Sequence, residues 1–243
     1  MLDKIVSNVK TLLIALFIAV IIRSLFFHPF YIPSSSMEPN LLIGDRIFAS
    51  KYTYGFSKHS FPFSPPLFKG RIFYSKPKYG DLVIFKTPLD NRTDYIKRLI
   101  GFPGDEIQIV DGEIYLNKEK ILRKKINKKI KTRCGGANFN EVIAYKETLP
   151  NGISYVAVYN KEGSMMNTDN YIVPDNHYFF LGDNRDCSKD SRYLSSVGYV
   201  HEDNLIGKAR VIFFSNDTVL GSFFKFWNWK NSLRINRFFK KLQ

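Results

Sequence analysis

The segment at residues 5–27, IVSNVKTLLIALFIAVIIRSLFF, constrains this chain more than any other stretch. It approaches the roughly 20 apolar residues that cross a bilayer as a helix. Its uninterrupted apolar core, 12–22, runs directly into Arg23, a side chain long enough to reach a headgroup. A cleaved export signal is the rival, but that needs small residues after the apolar core. The residues after this core, RSLFFHPFYIP, are bulky throughout, which points to an uncleaved anchor. Pro29 and Pro33 end any helix. Charge does not orient the span, because Lys4 and Lys10 precede it while Arg23 and His28 come after it. The remaining chain is neither disordered nor polytopic, since the whole is 44% apolar and 24% charged. Its 243 residues suffice for one good core or two small ones.

Beyond the anchor the pattern is mostly β. A turn, LIGD, leads into a strand, RIFASKYTY, at 46–54. GDLVIF at 80–85 and DYIKRLIG at 94–101 read as strands, with the turn FPGD after the second. EIQIVDGEIYLN at 106–117 alternates around Asp111-Gly112, a hairpin signal. Strands resume at 153–159, 176–181 and 206–214. No βαβ spacing and no repeat is visible. The division read from this pattern is an anchor at 1–28, a β core at 29–106 and 176–217, a weakly apolar β insert at 107–175, and a tail at 218–243. The run at 118–133 has nine basic residues and one acidic; helix and charged ribbon both remain open, with a solvated basic face as the reading.

Lys and Arg outnumber Asp and Glu by 36 to 22, a net +14, which attracts anionic lipid or nucleic acid. The anchor favours anionic phospholipid, and no nucleic-acid module accompanies the charge. Two segments point the same way. The proline-rich loop at 56–73 offers Phe61, Phe63, Leu67 and Phe68 to a bilayer surface. The tail at 218–243 has six basic residues, no acidic one, and interleaves Phe223, Phe224, Phe226, Trp227, Trp229, Phe238 and Phe239. Cys134 and Cys187 lack the spacing and histidines of a metal site. An exported domain permits a bridge between them without requiring one. Unpaired thiols are expected, with Cys187 a small buried filler.

Two separated segments suggest chemistry. Pro33-Ser34-Ser35-Ser36-Met37 offers hydroxyls just after the anchor, and Lys97 sits in an apolar strand between Ile96 and Leu99. A serine hydroxyl is a poor nucleophile until a base takes its proton. Lysine can be that base when burial keeps it neutral. Read alone, the serines are a turn and the lysine an edge-strand charge. A third segment, GDNRDCSKDSR at 182–192, packs carboxylates, arginines and serines around a glycine turn; alone it reads as a paired surface loop.

Together these segments resemble the bacterial type I signal peptidases over nearly the full length. The resemblance rests on PSSSMEPNLLIGD at 33–45, GDLVIF at 80–85, DYIKRLIGFPGD at 94–105, GDNRDCSKDSR at 182–192 and GKA at 207–209, in family order. It implies a membrane-bound serine endopeptidase that removes signal peptides from exported preproteins after small residues, with no cofactor and no metal. By resemblance Ser36 is the nucleophile and Lys97 the general base. The Ser36 N–H and Ser34 hydroxyl would hold the oxyanion, and Ser188 would orient Lys97. Asp183 and Arg185 would shape the site, with Asp190 paired to Arg192 as support. Ile32, Met37, Leu41, Tyr95 and Ile96 would surround the residue before the cleaved bond; Phe30, Ile47, Ile84 and Ile96 would line the pocket two residues upstream. Partners implied are signal peptides, the anionic membrane and, transiently, the export machinery. The resemblance also puts the N-terminus in the cytoplasm and the β domain on the outer face of the cytoplasmic membrane. Two departures stand out: Cys187 where asparagine is common, and Ser35 where glycine is frequent, which strains the backbone only if φ is positive there. Rival readings are a self-cleaving repressor-type protease, an organellar inner-membrane peptidase and a non-enzymatic envelope binding module.

Overall fold

The computed structural model describes residues 2–66, 68–136, 138–165, 167–217, 227 and 229–242. Helix α1 (Leu2–Leu25) is the anchor. An 18-residue window within Lys4–Leu25 has a mean hydropathy of 2.4, and none of that window is buried against the rest of the protein. So long an uncovered apolar surface suits hydrocarbon rather than water. The helix stops short of residue 27 because β1 (Phe27–Tyr31) begins there, pairing with β2 (Asp45–Ser50). Pro29 lies in β1, an edge strand, where a missing N–H is tolerated.

The chain continues through β3 (Leu82–Lys86) and β4 (Asp94–Gly101). It then builds β5 (Glu106–Val110), β6 (Glu113–Leu116), β7 (Glu119–Lys120), β8 (Leu122–Arg133), β9 (Phe139–Thr148), β10 (Ser154–Tyr159) and β11 (Tyr171–Ile172). It returns as β12 (His177–Leu181), β13 (Val200–His201) and β14 (Leu205–Ser215), and ends in a short α2 (Trp229–Ser232) and β15 (Lys240–Lys241). The main antiparallel sheet runs β1-β2-β14-β3-β4-β12-β13 and curls into a half-barrel; β15 joins β14 beyond the end of β3. Strands β8–β10 form one smaller sheet, and β11-β5-β6-β7 the other.

Strand β3 explains the apolar run LVIF. Leu82 and Ile84 pack in one core with Ile32, Met37, Leu41 and Ile47, while Val83 and Phe85 pack in another with Leu99, Tyr178 and Phe180. Both faces are covered, so the strand has no polar side to show. A third core joins Ile100, Phe179 and Leu181 of the main sheet to Ile107, Ile109 and Tyr155 of the smaller sheets. Asp111 and Gly112 turn β5 into β6 with φ of 50° and 75°, the left-handed pair of a two-residue hairpin.

Several local expectations change. The strand read at 46–54 ends at Ser50; Tyr52–Tyr54 is a 3-10 turn, and the Tyr54 hydroxyl donates to buried Asp81 at 2.9 Å. Of the two readings left open for the basic run, the ribbon is the one formed, as β8 pairs with β9. In the 56–73 loop Phe63 is fully exposed, but Phe61 packs edge-on against Phe68. Arg71 ties the loop down by donating to the carbonyls of Tyr54, Gly55, Glu202 and Leu205. The tail is not a free membrane segment along its described length. Arg237 is paired with buried Asp45, Trp229 and Phe238 pack on Phe214, and β15 joins the sheet. Leu67, Phe223, Phe224 and Phe226 lie outside the described residues.

Candidate active site

Lys97 lies mid-strand in β4, paired with Val83 of β3. It is 4% exposed, and its Nζ donates to Ser36 Oγ at 2.6 Å. Burial pushes its pKa down to about 8; Asp190 and Asp183 pull it back up, and Arg192 adds to the fall. The ammonium has lost its hydration, which favours the neutral amine. At pH 7 roughly a tenth of such a group is unprotonated. The Tyr95 ring sits 5.3 Å from Nζ, as alternation along β4 puts residues 95 and 97 on one face.

Ser36 lies after β1 in a tightly held turn. Its carbonyl accepts from the Asn184 N–H at 3.1 Å. The Asn184 side chain donates to the carbonyls of Ser35 and Arg133 at 3.1 and 3.0 Å. Ser34 Oγ lies 3.3 Å from Ser36 Oγ. Ser35 does not have a positive φ, so serine fits there without the strain a left-handed residue would bring.

The 182–192 loop closes over this turn. A Cβ at Gly182 would collide with Ser188 Oγ and come within 2.6 Å of the Ser36 carbonyl, so only glycine fits. Ser188 Oγ is buried beside it with no hydrogen-bond partner; the expected bond to Lys97 is not formed. Asp190 pairs with Arg192 at 2.7 Å and accepts from the Gly182 N–H at 2.9 Å. Burial alone would raise the Asp190 pKa, but the Arg192 charge and these bonds hold it below the usual carboxylate range.

Asp183 and Arg185 have partners that the sequence did not reveal. Asp183 takes two bonds from Arg98, at 2.7 and 2.8 Å, and one from Asn40 at 2.7 Å. Arg185 donates to the Gly182 carbonyl at 2.9 Å and to Glu147 at 2.8 Å, with Tyr155 and Tyr159 completing the carboxylate's shell. Arg98 had a signal, as the neighbour of Lys97 on the opposite face. Glu147 had none, because an acid in a partly polar strand looks solvated.

The cysteines correct the sequence reading: Cys134 and Cys187 form a disulfide with Cα atoms 5.2 Å apart. Glu38 accepts from the Arg133 N–H at 2.7 Å, and Asn184 bonds the Arg133 carbonyl, so the end of β8 is drawn to the loop at 182–192. That approach depends on the register of a long bulged strand, which spacing in sequence does not encode.

Phe30, Ile32, Ile47, Ile84, Tyr95 and Ile96 line a cavity of about 220 Å³ that reaches Ser34, Ser36 and Lys97. Met37 and Leu41, expected in the same pocket, do not line it. Both are fully buried in the core behind it, because the turn that presents Ser36 points them inward. Among the described residues no group of three or more His, Cys, Asp or Glu could hold a metal ion.

The chain as a whole has relatives among known proteins. The family model described as signal peptidase, peptidase S26 matches residues 5–214. Signal peptidase I of Rickettsia conorii is 43% identical over 93% of this chain and 88% of its own length. That of Rickettsia bellii is 40% identical over 96% of this chain and 84% of its own. A solved signal peptidase I from Enterococcus faecalis is similar over 55% of this chain and 97% of that one, at 23% identity and a TM-score of 0.31. On the family model and the Rickettsia relatives, the chain belongs to the peptidase S26 family and is enzymatically a type I signal peptidase.

Proposed function

We propose that this chain cleaves signal peptides from exported preproteins after small residues, with Ser36 as nucleophile and Lys97 as general base. The observation that carries the reading is the 2.6 Å contact between Lys97 Nζ and Ser36 Oγ at a site where burial depresses the lysine pKa. When the amine is neutral, the bond reverses and the hydroxyl donates to it. Ser36 Oγ attacks the scissile carbonyl as its proton passes to Nζ. The oxyanion meets the Ser36 N–H and the Ser34 hydroxyl. As the C–N bond breaks, the Lys97 ammonium gives its proton to the leaving amine, leaving an ester on Ser36. A water deprotonated by Lys97 attacks the ester, and the acid and free serine result.

Substrate choice comes from the cavity. About 220 Å³ shared by two side-chain subsites admits small residues, and bulky ones clash. The peptide lies extended along 94–97, bonded through its backbone. Residues 107–175 act as an inserted β subdomain whose Glu147 and Cys134 brace the loop at 182–192. The N-terminus is cytoplasmic and the β domain lies on the outer face, where exported precursors emerge beside the export machinery. Ser188 Oγ, buried in the loop without a bond to Lys97, would have to turn toward Nζ to orient it. The test is cleavage of a synthetic precursor peptide, read by mass spectrometry, using the full chain in detergent. We expect one cut after a small residue and none by a folded Ser36→Ala variant; near-parental turnover by that variant overturns the assignment.

A further inference from the structure

A second, larger cavity, of about 610 Å³, lies next to the substrate cavity and shares Phe30 and Asp94 with it. Its chemistry is different. Five cations, Arg23, Lys51, Lys58, Lys86 and Arg92, line it against two carboxylates, Asp90 and Asp94. Of these carboxylates, Asp94 is already paired with Lys86 at 2.7 Å, and Asp90 is occupied by Thr87, Thr93 and the Arg92 N–H. The surplus is positive. It is felt by the two histidines in the wall. Burial first, then the charge of Lys51 and Arg23, push His28 down to about 4; burial and Lys58 do the same to His59. Both therefore stay neutral at pH 7, so the positive charge of the cavity is that of its lysines and arginines.

The height of the cavity identifies its occupant. Arg23 is in the last turn of α1, the helix whose uncovered apolar surface suits hydrocarbon. A basic residue at that end sits at the headgroup level, so the cavity opens there as well. Its rim includes Phe61, Pro62 and Phe63, and Phe63 is fully exposed, an apolar lip beside a cationic floor. Lys51 is almost wholly buried in the wall, with its Nζ held by the Ser60 carbonyl at 2.6 Å. A buried, poorly hydrated cation beside more exposed ones matches a phosphate group with apolar chains attached.

We propose that this cavity binds the phosphate headgroup of one anionic membrane phospholipid, with Phe63 against its glycerol and acyl region. Because the cavity adjoins the substrate cavity at Phe30 and Asp94, the bound lipid forms part of the wall past which a membrane-embedded signal peptide reaches Ser36. That last step rests on the proposed peptidase reading; the lipid site does not.

The test reads lipid binding rather than turnover. The full chain in a neutral detergent is offered equal amounts of phosphatidylglycerol and phosphatidylcholine, and retained lipid is counted by native mass spectrometry. One phosphatidylglycerol should be retained in preference. The double variant Lys58→Gln/Arg92→Gln should lose that preference by roughly 30-fold, from two cations near an anionic group. A charge-matched control, Lys124→Gln/Lys128→Gln on the exposed face of β8, should retain it. No preference in the parent chain, or equal loss in both double variants, overturns the proposal. Displacement by inorganic phosphate as readily as by phosphatidylglycerol would make this a soluble-anion site and overturns the lipid assignment.

Discussion

In the proposed mechanism Lys97 is the residue whose environment matters most. Its pKa falls from 10.5 in the unfolded chain to about 8 when folded. Turnover should therefore rise with pH through about 8, as the amine becomes able to take the Ser36 proton. Lys97→Arg should remove turnover at every pH, because guanidinium stays protonated. The same shift predicts a stability effect. Below about pH 8 both states keep the proton and the folded state bears the whole burial cost. Between about 8 and 10.5 only the unfolded chain still holds it, so stability rises with pH across that window. Lys97→Met should be more stable than the parent near pH 7, by on the order of 3 kcal/mol, with the gap closing toward pH 10.5. Thermal unfolding of both chains over that range checks the sign, and a gap that widens with pH refutes it. Ser34→Ala should lower kcat by about 10²–10³ with little change in KM, because oxyanion charge develops only in the transition state. A loss confined to KM would remove Ser34 from that role.

At the scale of elements, the site is a turn after β1, a strand, β4, and a loop after β12, brought together by the ends of β8 and β9. Three of these were readable as motifs. The contribution of β8 and β9 was not, since Cys134, Glu147 and Arg133 act through register. The Cys134–Cys187 link joins positions 53 apart. On the chain-entropy account its removal costs about 4 kcal/mol. The Cys134→Ser/Cys187→Ser variant should unfold at a lower temperature than the oxidised parent and match the reduced parent. It should also lose turnover, because Asn184 bonds both Arg133 beside the link and Ser35 beside Ser36, the proposed nucleophile. Equal unfolding temperatures with and without reductant would argue that the link carries no load.

For the whole molecule, anchor and β domain are nearly independent bodies of surface. None of the apolar window of α1 is buried by the rest. Deleting residues 2–25 should leave a β domain with the unfolding temperature of the full chain. It should still float with anionic vesicles, since Phe63, Phe73, Trp227 and Phe239 are exposed among many basic residues. High salt should remove the electrostatic part of that association and leave the apolar part. No flotation by the folded domain at either salt would confine membrane attachment to α1.

The sequence by itself determined the anchor, the β character and the positions of Ser36 and Lys97. These are local properties: a run of apolar residues, an alternation, a hydroxyl cluster after proline, a lysine among aliphatics. Phe30, Ile32, Ile47, Ile84, Tyr95 and Ile96 were also legible, through family resemblance, as pocket residues that the structure brings together. The tertiary structure alone decided that Met37 and Leu41 turn into the core, that Arg98 rather than water neutralises Asp183, that Glu147 holds Arg185, and that the cysteines meet. Each of these pairs residues far apart in the chain, and their distance is set by sheet order and strand register. A side chain's own type says what partner it needs when buried; only the fold says which one reaches it.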